Sequence, residues 1–85
     1  MNNFRLVVLS EEGNIFEGMV DKVIVNTSMG EITVLKNHIP LISTVVDGRL
    51  IIFVGSKMEE YIASGGLLKV SKDEVLLMCN KIIKK

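Results

Sequence analysis

Tryptophan is absent from this chain, cysteine and proline occur once each, and neither sign of charge is in excess. Each shortage excludes something. The single thiol, Cys79, rules out an intrachain disulfide and favours a reducing, cytoplasmic compartment. Ten basic and ten acidic side chains cancel, so the basic surplus with which a nucleic-acid binder neutralises phosphates is missing. The aromatic residues Phe4, Phe16, Phe53 and Tyr61 are dispersed and not interleaved with basic ones, which argues against a platform for stacked bases. The longest apolar runs, 50–54 and 75–79, are five residues each, against the roughly 20 that a membrane-spanning helix needs. Near the start only four apolar residues stand together, too few for the core of a signal peptide. The expectation is a protein that does not cross a bilayer by itself and has no signal peptide.

What the chain has in quantity is aliphatic side chains: 48% of its residues are hydrophobic and 24% charged, a balance that favours an ordered, packed domain. Its 85 residues leave room for one domain, 1–85, burying roughly 60–65% of the surface of the unfolded chain. Glycine punctuates segments rich in β-branched residues. The run 4–9 is followed by the turn Glu11-Glu12-Gly13-Asn14. The stretch 15–25 is interrupted by Gly18, which predicts a bulge or tight bend there. Ser28-Met29-Gly30 and Lys36-Asn37-His38 read as turns around 31–35. The run 41–46 leads into Asp47-Gly48, a dipeptide suited to a tight primed hairpin turn. Further turns fall at Gly55-Ser56-Lys57, Ser64-Gly65-Gly66 and Ser71-Lys72-Asp73, separating the runs 49–54, 58–63, 67–70 and 74–80. No window sustains the period of an amphipathic helix. Eight or so short strands with closely spaced turns predict an antiparallel sandwich or barrel.

Strict alternation lapses in 50–54 and 75–79. If Leu50, Ile52 and Val54 point inward, then Ile51 and Phe53 point outward, and Leu76 with them. Scattered apolar surface is common. The preferred reading is a face covered by a partner or a missing segment.

Candidate chemistry is sparse. His38 and Cys79, the only histidine and the only thiol, formally allow a nucleophilic pair, but a thiol in an apolar strand usually behaves as a small buried hydrophobe. Neither C-x-x-C nor H-x-x-H spacing occurs, so no metal site is expected. Gly65-Gly66 lacks the longer glycine pattern and following helix of a phosphate loop; a turn with positive φ or a close backbone approach is expected instead. Lys57 sits at a hairpin tip, as the modified lysine of lipoyl and biotinyl carrier domains does, although Ser56 stands where those carriers have methionine. A carrier modified at Lys57 is the alternative function. The lysine-rich end, Lys81 to Lys85, is expected to be solvated and frayed. No catalytic, cofactor-binding or metal-ligating residue is assigned.

Four stretches carry a family resemblance. Gly30-Glu31-Ile32-Thr33-Val34-Leu35-Lys36-Asn37-His38-Ile39-Pro40-Leu41 is similar to the G-E-x-G-V-L-P-G-H-A-P-L segment of the epsilon subunits of F-type ATP synthases. Phe16-Glu17-Gly18-Met19-Val20-Asp21-Lys22-Val23 resembles their F-x-G-x-V-x-x-V strand, and Ser64-Gly65-Gly66-Leu67-Leu68-Lys69-Val70 their S-G-G-x-L-E-V stretch. The run 75–78 is similar to their closing apolar strand. The resemblance implies an all-β fold, a flattened antiparallel β-sandwich of about eight to ten short strands. It also implies a non-catalytic rotor part of the central stalk. Such a part binds the gamma subunit, rests on the polar loops of the c-ring and lies at the cytoplasmic face of the cell membrane without entering it. Carried over, the ring contact falls on Gly30, Glu31 and His38, with Glu31 accepting hydrogen bonds from the ring.

The departures are as specific as the matches. Thr33, Lys36 and Asn37 replace the family's Gly, Pro and Gly. Asn37 is expected to keep the left-handed backbone of the turn, and Lys36 to add charge near Glu31. Ile51 and Leu76 stand where the family usually has basic and polar residues, which strengthens the expectation that Ile51, Phe53 and Leu76 are covered. Family members commonly continue into a helical hairpin beyond the point where this sequence stops, so neither ATP binding nor inhibition by inserted helices is expected.

Overall fold

The computed structural model describes residues 3–85. These residues form seven strands and no helix: β1 (Phe4–Ser10), β2 (Gly13–Val20), β3 (Lys22–Thr27), β4 (Gly30–Val34), β5 (Leu41–Val54), β6 (Lys57–Val70) and β7 (Glu74–Lys84). They make one sheet in the order β2-β1-β7-β6-β5-β3-β4. Every pairing is antiparallel except that of β1 with β7, which is parallel. The expected sandwich is therefore present, but its sheet is mixed.

The strand count explains itself once β5, β6 and β7 are followed end to end. Leu41 to Val45 of β5 pair with Val70 to Gly66 of β6, which pair in turn with Val75 to Cys79 of β7. With β1 and β2 these segments build one layer. Beyond Asp47, residues 48–54 of β5 pair with β3 and with 57–63 of β6, while 61–64 of β6 pair with 81–84 of β7. With β4 these form the second layer. Three long strands serve both layers, so seven strands supply ten segments.

Asp47-Gly48 and Ser64-Gly65-Gly66 are consequently corners inside continuous strands, not the turns the sequence suggested. The corner is fixed by side chains. The Asn26 amide donates to the Asp47 carbonyl at 3.0 Å, and the Gly65 N–H donates to the Asp47 carboxylate at 3.0 Å. A Cβ on Gly48 would come within 2.6 Å of the Asn26 amide nitrogen. The expected irregularity at Gly18 also lies elsewhere: Gly18 pairs with Leu6 in register, and the shift falls between Val8 and Leu9, leaving Ile15 as the extra residue of β2. The stretch 15–25 divides at Asp21, where the chain passes between layers and the Asp21 N–H donates to the Phe53 carbonyl at 2.8 Å.

Crossing a corner changes which residues face inward. In β5, Ser43 and Val45 are buried before the corner and Leu50 and Ile52 after it. In β6, Tyr61 and Ala63 give way to Leu68 and Val70, and in β7, Val75, Leu77 and Cys79 give way to Ile82. One core results, joining the apolar ones among these side chains to Phe4, Leu6, Val8, Val20, Val23, Val25 and Val34. It contains residues of both outermost strands, β2 and β4, as the folding-over of a single sheet requires.

Candidate interaction surface

The ladder between β3 and β4 ends in the two-residue turn Ser28-Met29, beside the corner of β5. Thr27 is 2% exposed, and its hydroxyl donates to the Gly30 carbonyl at 2.8 Å and accepts from the Met29 N–H at 3.1 Å. The Ser28 N–H donates to the Thr44 carbonyl at 3.0 Å, tying the tip to β5. Gly30 sits at φ 108°, outside the range that side-chain-bearing residues adopt readily. A rigid turn thus presents Met29 to solvent, with Glu31 next to it. Replacing Thr27 by Val keeps the shape and removes two part-buried hydrogen bonds, so a loss of roughly 1 kcal/mol is expected. Urea unfolding measures it, and accelerated amide exchange at Met29 locates it.

Glu31 is exposed and already has a partner. Arg49 Nε–H donates to one of its oxygens at 2.8 Å and Arg49 Nη2–H to the other at 3.2 Å. The two residues stand on the outer side of the second layer, Arg49 on β5 and Glu31 on edge strand β4, with β3 between them. The guanidinium hydrogen bond holds the Glu31 carboxyl below the usual carboxylate range, against a smaller opposing effect of desolvation. A carboxyl lowered in the fold favours folding above its ordinary pKa, and that contribution is lost as pH falls through the lowered value. NMR titration is expected to give Glu31 a midpoint below that of a free glutamate, and Arg49→Gln to raise it.

His38 lies elsewhere. Gly30 opens β4 and Val34 closes it, so the two ends are separated by about 13 Å of extended chain, and His38 lies four residues beyond Val34. Its N–H donates to the Leu35 carbonyl at 3.1 Å, and its ring Nδ1 is 2.8 Å from the Ile39 carbonyl. Asn37 has φ 68°, the left-handed conformation expected of it. Shallow depressions on this loop are lined by Asp21, Leu35 and Asn37 on one side and by Ile39, Pro40 and Lys72 on the other. Gly30 and Glu31 are therefore together and His38 is apart from them. Lys36 belongs to the His38 end as well, so the charge beside Glu31 is Arg49, a residue the sequence reading did not single out.

The three residues expected on a covered face divide too. Ile51 and Phe53 lie on the outer side of the second layer, and Leu76 on the outer side of the first, between Val7 and Lys69. Ile51 is only 5% exposed, because Ile24 and Glu60 oppose it on the neighbouring strands and Lys85 is bonded to Glu60. Its burial needs no partner. Phe53 is half-buried, with the Lys22 ammonium 4.4 Å from its ring centroid. Met58, opposite it on β6, is exposed, while exposed Ile62 and Ile83 lie farther along the same side, level with Arg49. Leu76 is half-buried, beside exposed Met78 and Leu67.

Cys79 is buried beside Gly66 on the inner side of β7, and burial pushes its thiol up to about 11. It is protonated near neutral pH and at the corner end of the layer, away from His38. The pair is not assembled. Lys57 is exposed directly after the turn at Gly55-Ser56, as the carrier alternative would place it. Among the described residues no helix is long and apolar enough to cross a membrane.

Comparison with known proteins decides between the readings. Residues 3–85 match the family model described as the β-sandwich domain of the ATP synthase delta/epsilon chain. The ATP synthase epsilon chain of Alkalihalophilus pseudofirmus is 33% identical over 78 residues, covering 92% of this chain and 59% of the relative. That of Persephonella marina is 36% identical over 76 residues, 88% of this chain and 56% of the relative. The chain thus spans somewhat more than half the length of these curated relatives. Among solved structures, a chain of the Euglena gracilis mitochondrial ATP synthase superposes with a TM-score of 0.91 at 22% identity, over 96% of this chain and 53% of that one. A chain from the central stalk and c-ring of the Tetrahymena thermophila enzyme gives 0.80 at 12% identity, over 94% and 65%. These two likenesses concern the fold. The sequence matches support an ATP synthase chain and not a lipoyl or biotinyl carrier. From the match over residues 3–85, the chain belongs to the delta/epsilon family of ATP synthases, as its β-sandwich domain.

Proposed function

We propose that this domain is a non-catalytic part of an ATP synthase rotor, packed against a gamma-type shaft and resting on the polar loops of a c-ring at the cytoplasmic face of the membrane. The family match across residues 3–85 carries the reading. The architecture suits it. A domain that transmits torque must resist shear, and three strands that pass through both layers couple those layers covalently. Side chains at the tip around Gly30 and Glu31 set register on the ring, while an area of shape complementarity on the order of 1,000 Å² or more carries the load. His38, at the far end of β4, takes no part in that contact. The shaft covers the side of the second layer around Phe53, where a half-buried aromatic stands beside exposed Met58, residue types enriched at interface centres.

The test is capture of purified c-ring and gamma by the folded domain. The expected result is a complex containing all three, with gamma binding weakened by Phe53→Ser. A folded domain that captures neither partner overturns the reading. Gamma binding indifferent to Phe53→Ser overturns the placement of the shaft.

A further inference from the structure

Glu31 was expected to offer its carboxylate to the ring, but each of its oxygens already accepts a hydrogen bond from Arg49. The guanidinium uses its side edge, Nε and Nη2, for that purpose. Its other edge, Nη1 with the second N–H of Nη2, has no partner among the described residues, and the Arg49 side chain is 51% exposed. Nearby acceptors are spoken for. The Asp47 carboxylate accepts from the Gly65 N–H, the Asp47 carbonyl from the Asn26 amide, and the Gly30 carbonyl from the Thr27 hydroxyl. What this end of the molecule offers a partner is therefore a fork of donors, held in orientation by Glu31.

We propose that Arg49, and not Glu31, makes the polar contact with the ring, through its open edge, and that Glu31 is a positioning residue for it. The proposal rests on the rotor reading given above. The free edge of a guanidinium matches two oxygen atoms side by side. Charge narrows the choice of acceptor. Glu31 already balances the Arg49 charge, and Glu60, which acts electrostatically on the same guanidinium, is itself paired with Lys85. A carboxylate arriving from the ring would join a site whose positive charge is already matched. Backbone carbonyls meet no such repulsion, so the partner atoms are carbonyl oxygens of a ring loop, with exposed Met29 packing alongside them. The contact therefore has the opposite polarity to the one the motif implied: the ring accepts and this chain donates.

Affinity for purified c-ring, measured on the whole chain bound to gamma, tests the assignment. Arg49→Gln is expected to weaken ring binding about tenfold, the scale of losing a hydrogen bond with a charged donor. Arg49→Lys, which keeps the charge and loses the fork, is expected to weaken it by a similar factor. Glu31→Gln is expected to have a smaller effect, and Arg49→Gln with Glu31→Gln to bind no worse than Arg49→Gln alone. Both side chains are exposed, and an unchanged gamma affinity reports that each variant is folded. Ring binding that survives Arg49→Gln but falls with Glu31→Gln overturns the proposal and leaves the rotor reading standing. Binding by Arg49→Lys at full strength overturns the fork. If the unaltered chain with gamma ignores the ring, the rotor reading falls and this proposal falls with it.

Discussion

Gly66→Ala is expected to remove a large share of the stability of this domain. Gly66 lies in β6 between two neighbours, paired with Val45 of β5 and Cys79 of β7, where all three strands bend from one layer into the other. A Cβ built there falls 1.9 Å from the Met78 carbonyl oxygen and 2.7 Å from the Cys79 Cα. Both are backbone atoms, so no rotamer change relieves the overlap. β6 and β7 must separate, and ladder hydrogen bonds between them are lost. The expected loss is at least about 3 kcal/mol, from a total of roughly 5–15 kcal/mol for a typical domain. With a urea slope of roughly 1 kcal/mol/M, the midpoint falls by about 3 M or the transition disappears. Gly65→Ala is the control. Its nearest neighbours would be the Asn80 amide nitrogen at 3.6 Å and the Val45 carbonyl at 3.8 Å, which is ordinary contact, and a change within about 1 kcal/mol is expected. Cys79 serves as a second readout: its buried, protonated thiol reacts slowly in the intact fold and faster once β6 and β7 part. Equal midpoints for the two variants would show that the strands do not approach so closely.

The same corner marks the limit of what the sequence discloses. The turns at 11–14, 28–30, 36–38, 55–57 and 71–73 are legible because glycine, asparagine and serine there break the run of strand residues. Asp47-Gly48 carries the same chemistry and makes no hairpin. Tight turns and sharp bends draw on the same residues, and only the pairing of the flanking segments tells them apart. Those pairings lie far apart in sequence. The lost alternation in 50–54 and 75–79 belongs to this effect only in part. The inward side of β5 shifts by one residue at its corner, and a shift of one residue exchanges the two faces of a strand. Ile51 looked outward-facing and so in need of cover. It does face outward, but Ile24 and Glu60 on the flanking strands close over it. The parallel pairing of β1 with β7 joins segments near the two ends of the chain, and no local pattern announces it. Glu31 was legible through its Gly-Glu motif. Arg49 was not, since its relation to Glu31 depends on the order β5-β3-β4, and a basic residue after a presumed turn has nothing to distinguish it.

Leu50→Ala is expected to lower the melting temperature by roughly 12–32 °C, whereas Arg49→Gln leaves it nearly unchanged. Leu50 is fully buried at 0% exposure in the single core, at the point where β5 enters the second layer. It pairs with Val25 on one side and Tyr61 on the other, both buried. Truncation to Ala removes three carbons' worth of transfer free energy and leaves a cavity whose walls are backbone-anchored strands, which collapse poorly. A loss of about 3–4 kcal/mol follows, and for a domain of this size each kcal/mol shifts the melt by roughly 4–8 °C. The residue before it faces the other way. Arg49 has solvent on its outer side and one exposed ion pair, and solvent-screened pairs of that kind contribute little to stability. Adjacent positions in β5 thus differ in what they contribute: Leu50 packs in the core that joins the two layers, and Arg49 faces solvent. A Leu50→Ala chain that still melts near the unaltered one would mean that the core tolerates a void at its corner.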